Sequence, residues 1–298
     1  MNLRQLEYFV RVAELGSFSQ AARILDIAQP ALSRQVRMLE TELRSTLLQR
    51  TGRGVTLTET GRRLFEHGVD ILQRVEVAVE DLEAGRDEPS GHVTVALPPS
   101  MARLLTLPLV NAFRAELPKA RLAIVEGLST HIMEWITTGR VDLGLVLNPQ
   151  TDQAIELEPL SDEPLCLIGP AGGAAGPVAF AELHRLPLII PERAHTVRKL
   201  IEAQAALAGL RLQIAWEISG VASILDLVRH GYGHAVLTTG AVRASGIPEA
   251  FCVRPLVQPQ LLSRLFLAAS ALKAATPLMR HVRGLLRGLA SAPPHNNP

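Results

Sequence analysis

Gln29, Pro30, Ser33, Arg34 and Arg37 fall within nine consecutive residues, and their types suit one kind of chemistry. An arginine guanidinium presents paired donors that match the O6 and N7 acceptors of guanine, and a glutamine amide pairs a donor with an acceptor as adenine does. A further arginine, Arg53, stands in Thr51-Gly52-Arg53-Gly54. A hairpin tip there would carry it into a minor groove, whose narrow A·T-rich form concentrates negative potential. Such groups read a duplex only when rigid elements hold them on one face.

The segment SFSQAARILDIAQPALSRQVRMLE, residues 17–40, supplies those elements. Gly16 ends a first periodic stretch, LRQLEYFVRVAEL, and Ser17-Phe18-Ser19-Gln20 matches the Ser-x-x-Gln box that ties off N–H groups at a new helix start. Asp26-Ile27-Ala28 is the turn. Pro30 restarts the helix, because proline in a first helical position loses only an N–H that would be unpaired anyway. Leu32, Val36, Leu39 and Leu43 recur at helical spacing and commit one side to a core, leaving Gln29, Ser33, Arg34 and Arg37 opposite.

Two short helices with a polar-fronted second member describe a helix-turn-helix, although a three-helix bundle with a solvated face shows the same pattern. LLQRTGRGVTLT alternates apolar residues around residues 51–54 and reads as a wing hairpin with a glycine-permitted turn. Alone, an arginine at a hairpin tip more often serves solubility; beside a basic helix-turn-helix it reads as a DNA contact. The charge agrees: residues 1–65 hold ten Arg against six acids, residues 66–88 two Arg against eight acids, and residues 91–298 eighteen Lys and Arg against fifteen acids. The basic excess is local and N-terminal.

On these residues the sequence resembles the LysR-type transcriptional regulators. The likeness rests on MNLRQLEYFVRVAELGSFSQAARILDIAQPALSRQVRMLETEL followed by LLQRTGRGVTLTETG, and within the family IAQPALSRQV and RTGRGVTLT are similar to the nitrogen-assimilation-control type. It is dense over about the first 65 residues and mostly one of pattern beyond residue 90. The resemblance implies a winged helix-turn-helix, a long dimerising linker helix, and a two-lobed α/β effector domain of the periplasmic-binding-protein type, usually assembled as tetramers. It carries DNA contacts onto Gln29, Pro30, Ser33, Arg34 and Arg53; effector identity does not transfer.

Thr58 is placed to cap a helix from Glu59 to about Ala84. Along it Leu64, Gly68, Ile71, Val75, Ala78 and Leu82 form a heptad seam, with Phe65, Leu72 and Val79 as a second row. The seam calls for a partner helix, or else for packing on its own domain. Paired copies would set two recognition helices on an imperfect dyad operator. Residues 86–91, RDEPSG, have the composition of a hinge.

Beyond the hinge, strand-like and helical runs alternate, which means βαβ units and a largely parallel sheet. LSRLFLAAS and PLMRHVRGLLRGL return to the first lobe, giving crossings near Ser161–Pro164 and Ser263–Ala269. The expected plan is an α/β chain with a DNA-binding domain at 1–58, a linker helix and hinge at 59–90, and an effector-binding domain at 91–298. Its lobe I takes about 91–161 plus 268–292, and lobe II about 162–267. Ligands in such sheets bind beyond the C-terminal strand ends, at helix N-termini. That places Ser100, Ser129, Thr130, His195 and Thr196 around a small, anionic effector, unless each hydroxyl is merely an N-cap.

Other classes find less support. No G-x-S-x-G elbow, G-x-x-x-x-G-K-[ST] loop or H-E-x-x-H helix is present, so an α/β enzyme is disfavoured. GPAGGAAGP reads as a loop, His230 and His234 lack a third metal ligand, and Cys166 and Cys252 belong to no cluster. A solute-binding module without DNA affinity is opposed by the basic N-terminal segment and the absence of an export signal. The expectation is a non-enzymatic, cytoplasmic regulator that touches no membrane and carries no cofactor or metal beyond its effector. Its expected partners are double-stranded DNA and its own copies, with RNA polymerase a further candidate.

Overall fold

The computed structural model describes residues 1–51, 54–83 and 89–291, and the chain divides into two units, Met1–Asp87 and Glu88–Pro298.

The first unit opens on α1 (Leu3–Leu15), whose start is capped reciprocally: Asn2 Oδ1 accepts from the Gln5 N–H at 2.9 Å and Gln5 Oε1 from the Asn2 N–H at 3.1 Å. Gly16 closes the helix in the left-handed conformation, φ 59°, which a residue with a Cβ adopts at a cost. Ser17 Oγ then caps α2 (Phe18–Ile24) by accepting from the Gln20 N–H, so the Ser17 arm of the expected box is formed. After the turn α3 (Gln29–Glu42) starts one residue ahead of Pro30, which takes the second helical position instead of the first. Either position lies before the i→i−4 ladder needs its N–H. Leu32, Val36 and Leu39 are buried with Leu6, Phe9, Val12, Ala21 and Ala22, whereas Leu43 is the C-cap residue and exposed.

The wing consists of β1 (Leu48–Thr51) and β2 (Gly54–Leu57), antiparallel, with Thr51 opposite Gly54. Arg53 lies outside the described residues. Glu40 fastens the hairpin to α3, its Oε1 accepting from the Leu47 and Leu48 N–H groups at 2.8 and 3.2 Å. The Val55 N–H donates to the Gly16 carbonyl at 2.8 Å.

Helix α4 (Glu59–Glu83) begins as the sequence suggests, with Thr58 Oγ1 accepting from the Gly61 N–H at 2.9 Å. Its seam divides in two. Leu64, Phe65, Val69 and Leu72 pack against the buried cluster of α1 and α3, and Gly68 lets Leu6 and Val10 approach closely. Further along, Ile71, Val75, Ala78 and Val79 are exposed on this single chain. The side chain of Leu82 lies outside the described residues.

The second unit runs β3 (Gly91–Leu97), α5 (Pro99–Glu116), β4 (Ala120–Glu126), α6 (Ser129–Thr137), β5 (Leu143–Leu147) and a long β6 (Ile155–Pro170). It continues with β7 (Val178–Ala179), β8 (Leu188–Ile190), α7 (Thr196–Leu207), β9 (Ile214–Glu217), α8 (Val221–Arg229) and β10 (Ala235–Thr238). It ends with α9 (Thr239–Arg243), β11 (Phe251–Val257), β12 (Leu262–Ser270) and α10 (Pro277–Ser291).

In one lobe β3 pairs in parallel with β4 and β5, and β12 runs antiparallel between β5 and β6. In the other, β8 and β9 are parallel while β10 and β11 run antiparallel to the far half of β6. The sheet is therefore mixed rather than largely parallel in that lobe. β6 makes the first crossing: up to Pro164 it pairs with β12, and from Leu165 onward with β10 and β11. The return crossing is complete by Leu262, which pairs with Pro164, one residue ahead of the Ser263–Ala269 stretch. Alternation along β6 sends Leu165 and Leu167 to one core and Cys166 and Ile168 to the other.

Candidate functional site

In the first unit Gln29, Pro30, Arg34 and Arg37 are exposed along one side of α3. Together with Ser33, Met38 and Thr41 they line a concave strip of about 850 Å³. Ser33 is only 7 % exposed, so it forms the base of the strip and does not project from it. Among the described residues no side chain caps the start of α3, which leaves the positive end of its dipole available to an anion such as a phosphate. Two supports were not anticipated: Glu40, which ties the wing to α3, and the Gly16 carbonyl, which receives Val55.

In the second unit a cavity of about 90 Å³ lies between the lobes, room for a handful of heavy atoms. Ser100, Ser129, His195 and Thr196 line it, as the sequence suggests. Thr130 does not: it is exposed, and its neighbour Ser129 is buried and faces the cavity. One residue on a helix is a turn of about 100°, enough to exchange the two hydroxyls. Ser129 also accepts from the Leu147 N–H at 2.9 Å, which ties α6 to the end of β5. Sequence reasoning missed Ser219, Thr238 and Ser263, which add hydroxyls to a wall that also includes Leu128, Leu147, Val197 and Leu237. Ser263, on β12, reaches it only through long-range pairing, and Asn148 Nδ2 donates to its hydroxyl at 3.3 Å.

The helices α5, α6 and α8 all begin at this cavity, and among the described residues none of the three starts is capped by a side chain. No Asp, Glu, Lys or Arg lines it among those residues. The cavity therefore offers hydroxyls and helix N–H groups without a fixed charge.

His195 is its titratable group. Burial pushes the imidazole below the ordinary histidine value of 6.5, and Nδ1 must be unprotonated to accept from the Val197 N–H at 3.3 Å. A folded-state value below the unfolded one means that the unfolded chain takes up the proton first as pH falls. The contribution to stability is thus complete above about pH 6.5 and declines as pH drops from there toward the folded-state value. His234 is shifted the same way by burial and then by Arg254. The melting midpoint of the second unit should fall between pH 7.5 and 5.5, and His195→Asn, which can still cap α7, should fall less. An unaltered pH profile in His195→Asn would remove His195 from this account.

Elsewhere, His230 Nδ1 lies 2.7 Å from the Asp226 carbonyl of its own helix, and His234 packs over Gly169. Among the described residues no group of three His, Cys, Asp or Glu is placed to hold a metal, and no helix is long and apolar enough to cross a membrane.

Residues 3–62 match the lysR family of bacterial regulatory helix-turn-helix proteins, and residues 86–291 match the LysR substrate binding domain. The chain belongs to the LysR family of transcriptional regulators. This LysR-family chain is 32% identical to the nitrogen assimilation regulatory protein nac of Klebsiella aerogenes, over 100% of its own length and 98% of that protein's. It is 28% identical to the probable nitrogen assimilation transcriptional activator of Synechococcus elongatus, over 98% and 96% of the two chains. Among solved structures, a full-length OxyR variant from Pseudomonas aeruginosa matches with a TM-score of 0.80 at 24% identity, covering 97% of this chain and 94% of that one. The LysR-family regulator is a DNA-binding transcription factor. The α3 strip falls in the first matched segment and the cavity in the second.

Proposed function

We propose that this LysR-family regulator reads an imperfect dyad in double-stranded DNA through Gln29, Pro30, Arg34 and Arg37 on α3, with Arg53 as a wing contact, and is controlled by a small anion held between the lobes. The exposed strip on α3 carries this reading: forked donors stand on one face of a helix whose other face is fixed in the core. Ser33, at the base of the strip, contributes at close range to the backbone or a base edge. The exposed half of α4, with Ile71, Val75 and Val79, is the surface that pairs two copies and sets the spacing of the dyad. Such a regulator works where the chromosome is, in the cytoplasm.

Three uncapped helix starts and a wall of hydroxyls favour an anionic effector, because N–H dipoles stabilise negative charge without a counter-ion. Ser100, Ser129 and Thr196 donate to it, and neutral His195 shapes one wall. Binding acts on DNA only through differential affinity for the lobe arrangements. A panel of small carboxylates, sulfate and phosphate, screened by thermal shift and then by operator binding, identifies a working probe. With that probe, Ser100→Ala combined with Thr196→Ala should raise the half-saturating concentration about tenfold, the loss of one or two net hydrogen bonds, and leave ligand-free DNA binding unchanged. Thr130→Ala is the control and should shift nothing; a larger effect from Thr130→Ala would relocate the site.

A further inference from the structure

Met38 stands on the same stripe of α3 as Pro30 and Arg34, eight and four residues further along, and apart from the stripe of Leu32, Val36 and Leu39 that fills the core. Its side chain is 49 % exposed and lines the concave strip beside Arg34, Arg37 and Thr41. From Pro30 to Met38 the helix rises about 12 Å, a length comparable with three to four base-pair steps at about 3.4 Å each. A helix seated in the major groove through Arg34 therefore holds Met38 within one or two base pairs of the position that Arg34 reads.

A methionine side chain is unbranched, adaptable and apolar, with no donor and a sulfur that accepts only weakly. Of the features on base edges in the major groove, the thymine C5-methyl group is the one that such a side chain rewards. We propose that Met38 is a specificity-determining residue that reads a thymine methyl next to the base read by Arg34. The inference rests on the DNA-reading role given to α3 above. It assigns a base preference to a residue that the polar pattern of the helix passes over.

Replacement of thymidine by deoxyuridine deletes that methyl group and nothing else. Operators are first selected from a random duplex pool by the full-length protein, and each thymidine of the selected site is then replaced singly. At one position in a half-site the substitution should weaken binding about fourfold, the contribution of one buried methyl group. In Met38→Ala the same substitution should have no effect, and Met38→Leu should retain most of it. Met38→Gln, which keeps the length and adds an adenine-matching amide, should move selection in that column from T toward A. The inference is overturned if no thymidine is sensitive, or if the sensitive one is equally so in Met38→Ala. If the full-length protein selects no duplex at all, the role of α3 itself fails, a result distinct from the loss of one methyl contact.

Discussion

Arg34→Ala is expected to flatten base preference at one operator position while leaving the rest of the site recognised. A bidentate arginine contributes about 1–3 kcal/mol of discrimination against the wrong base, so the preferred base at that position should lose an advantage of roughly 5- to 150-fold. Arg34 is exposed on α3 and lies outside the buried cluster of the first unit, so the melting midpoint should stay where it is. The measurement is binding of the full chain to the selected operator and to its three single-base variants at that position. A uniform loss of affinity over all four would recast Arg34 as a phosphate contact, reading no sequence.

Gly61→Ala should disrupt the first unit. A Cβ at residue 61 would sit 2.0 Å from the Leu47 carbonyl oxygen and 2.9 Å from its carbon, and these are backbone atoms that cannot rotate away. Leu47 is held in turn by Glu40 and by the Thr58 N–H, which donates to the same carbonyl at 2.9 Å. Either α4 lifts off the wing or the wing leaves α3. Overpacking of this kind costs about 3 kcal/mol, which lowers the midpoint of a unit of this size by on the order of 15 °C. Gly68→Ala makes the contrast: its Cβ would meet Val10 Cγ2 at 3.0 Å and Leu6 Cδ1 at 3.1 Å, both ends of side chains that can adjust. Its cost should be near 1 kcal/mol. Equal melting midpoints for the two variants would show that the close approach at Leu47 is not a constraint on the fold.

The contrast between these sites shows how far sequence reaches. Helix α3 was legible because Leu32, Val36 and Leu39 repeat at the helical period and Pro30 marks the restart. The wing followed from glycines between alternating apolar residues. The fate of α4 was not legible: a heptad row does not say which of its members meet α1 and which remain exposed, and the close fit at Gly68 decides that. β11 was passed over, since Arg254 and Pro255 interrupt its apolar pattern even though residues 251–255 pair with β6 and Leu256 and Val257 with β7. Around the cavity, strand-to-helix junctions pointed to Ser100, Ser129, His195 and Thr196, but the choice between Ser129 and Thr130 turns on a single helical position. Ser219 stands at a junction of the same kind, between β9 and α8, and was passed over, whereas Ser263 comes from a strand distant in sequence and no local signal leads to it.

DNA recognition by this regulator depends most on the groove-facing role of α3. Its direct test is titration of the full-length protein with selected duplex over a series of salt concentrations, for the parent chain and for a chain carrying Arg34→Ala and Arg37→Ala. Affinity for the parent should fall steeply and linearly on a double-logarithmic plot as salt displaces contacts to phosphate, and the double variant should lose affinity together with the preference at the positions that the two arginines read. Binding that is indifferent to salt, or a double variant that keeps the parent's preference at every position, would contradict it.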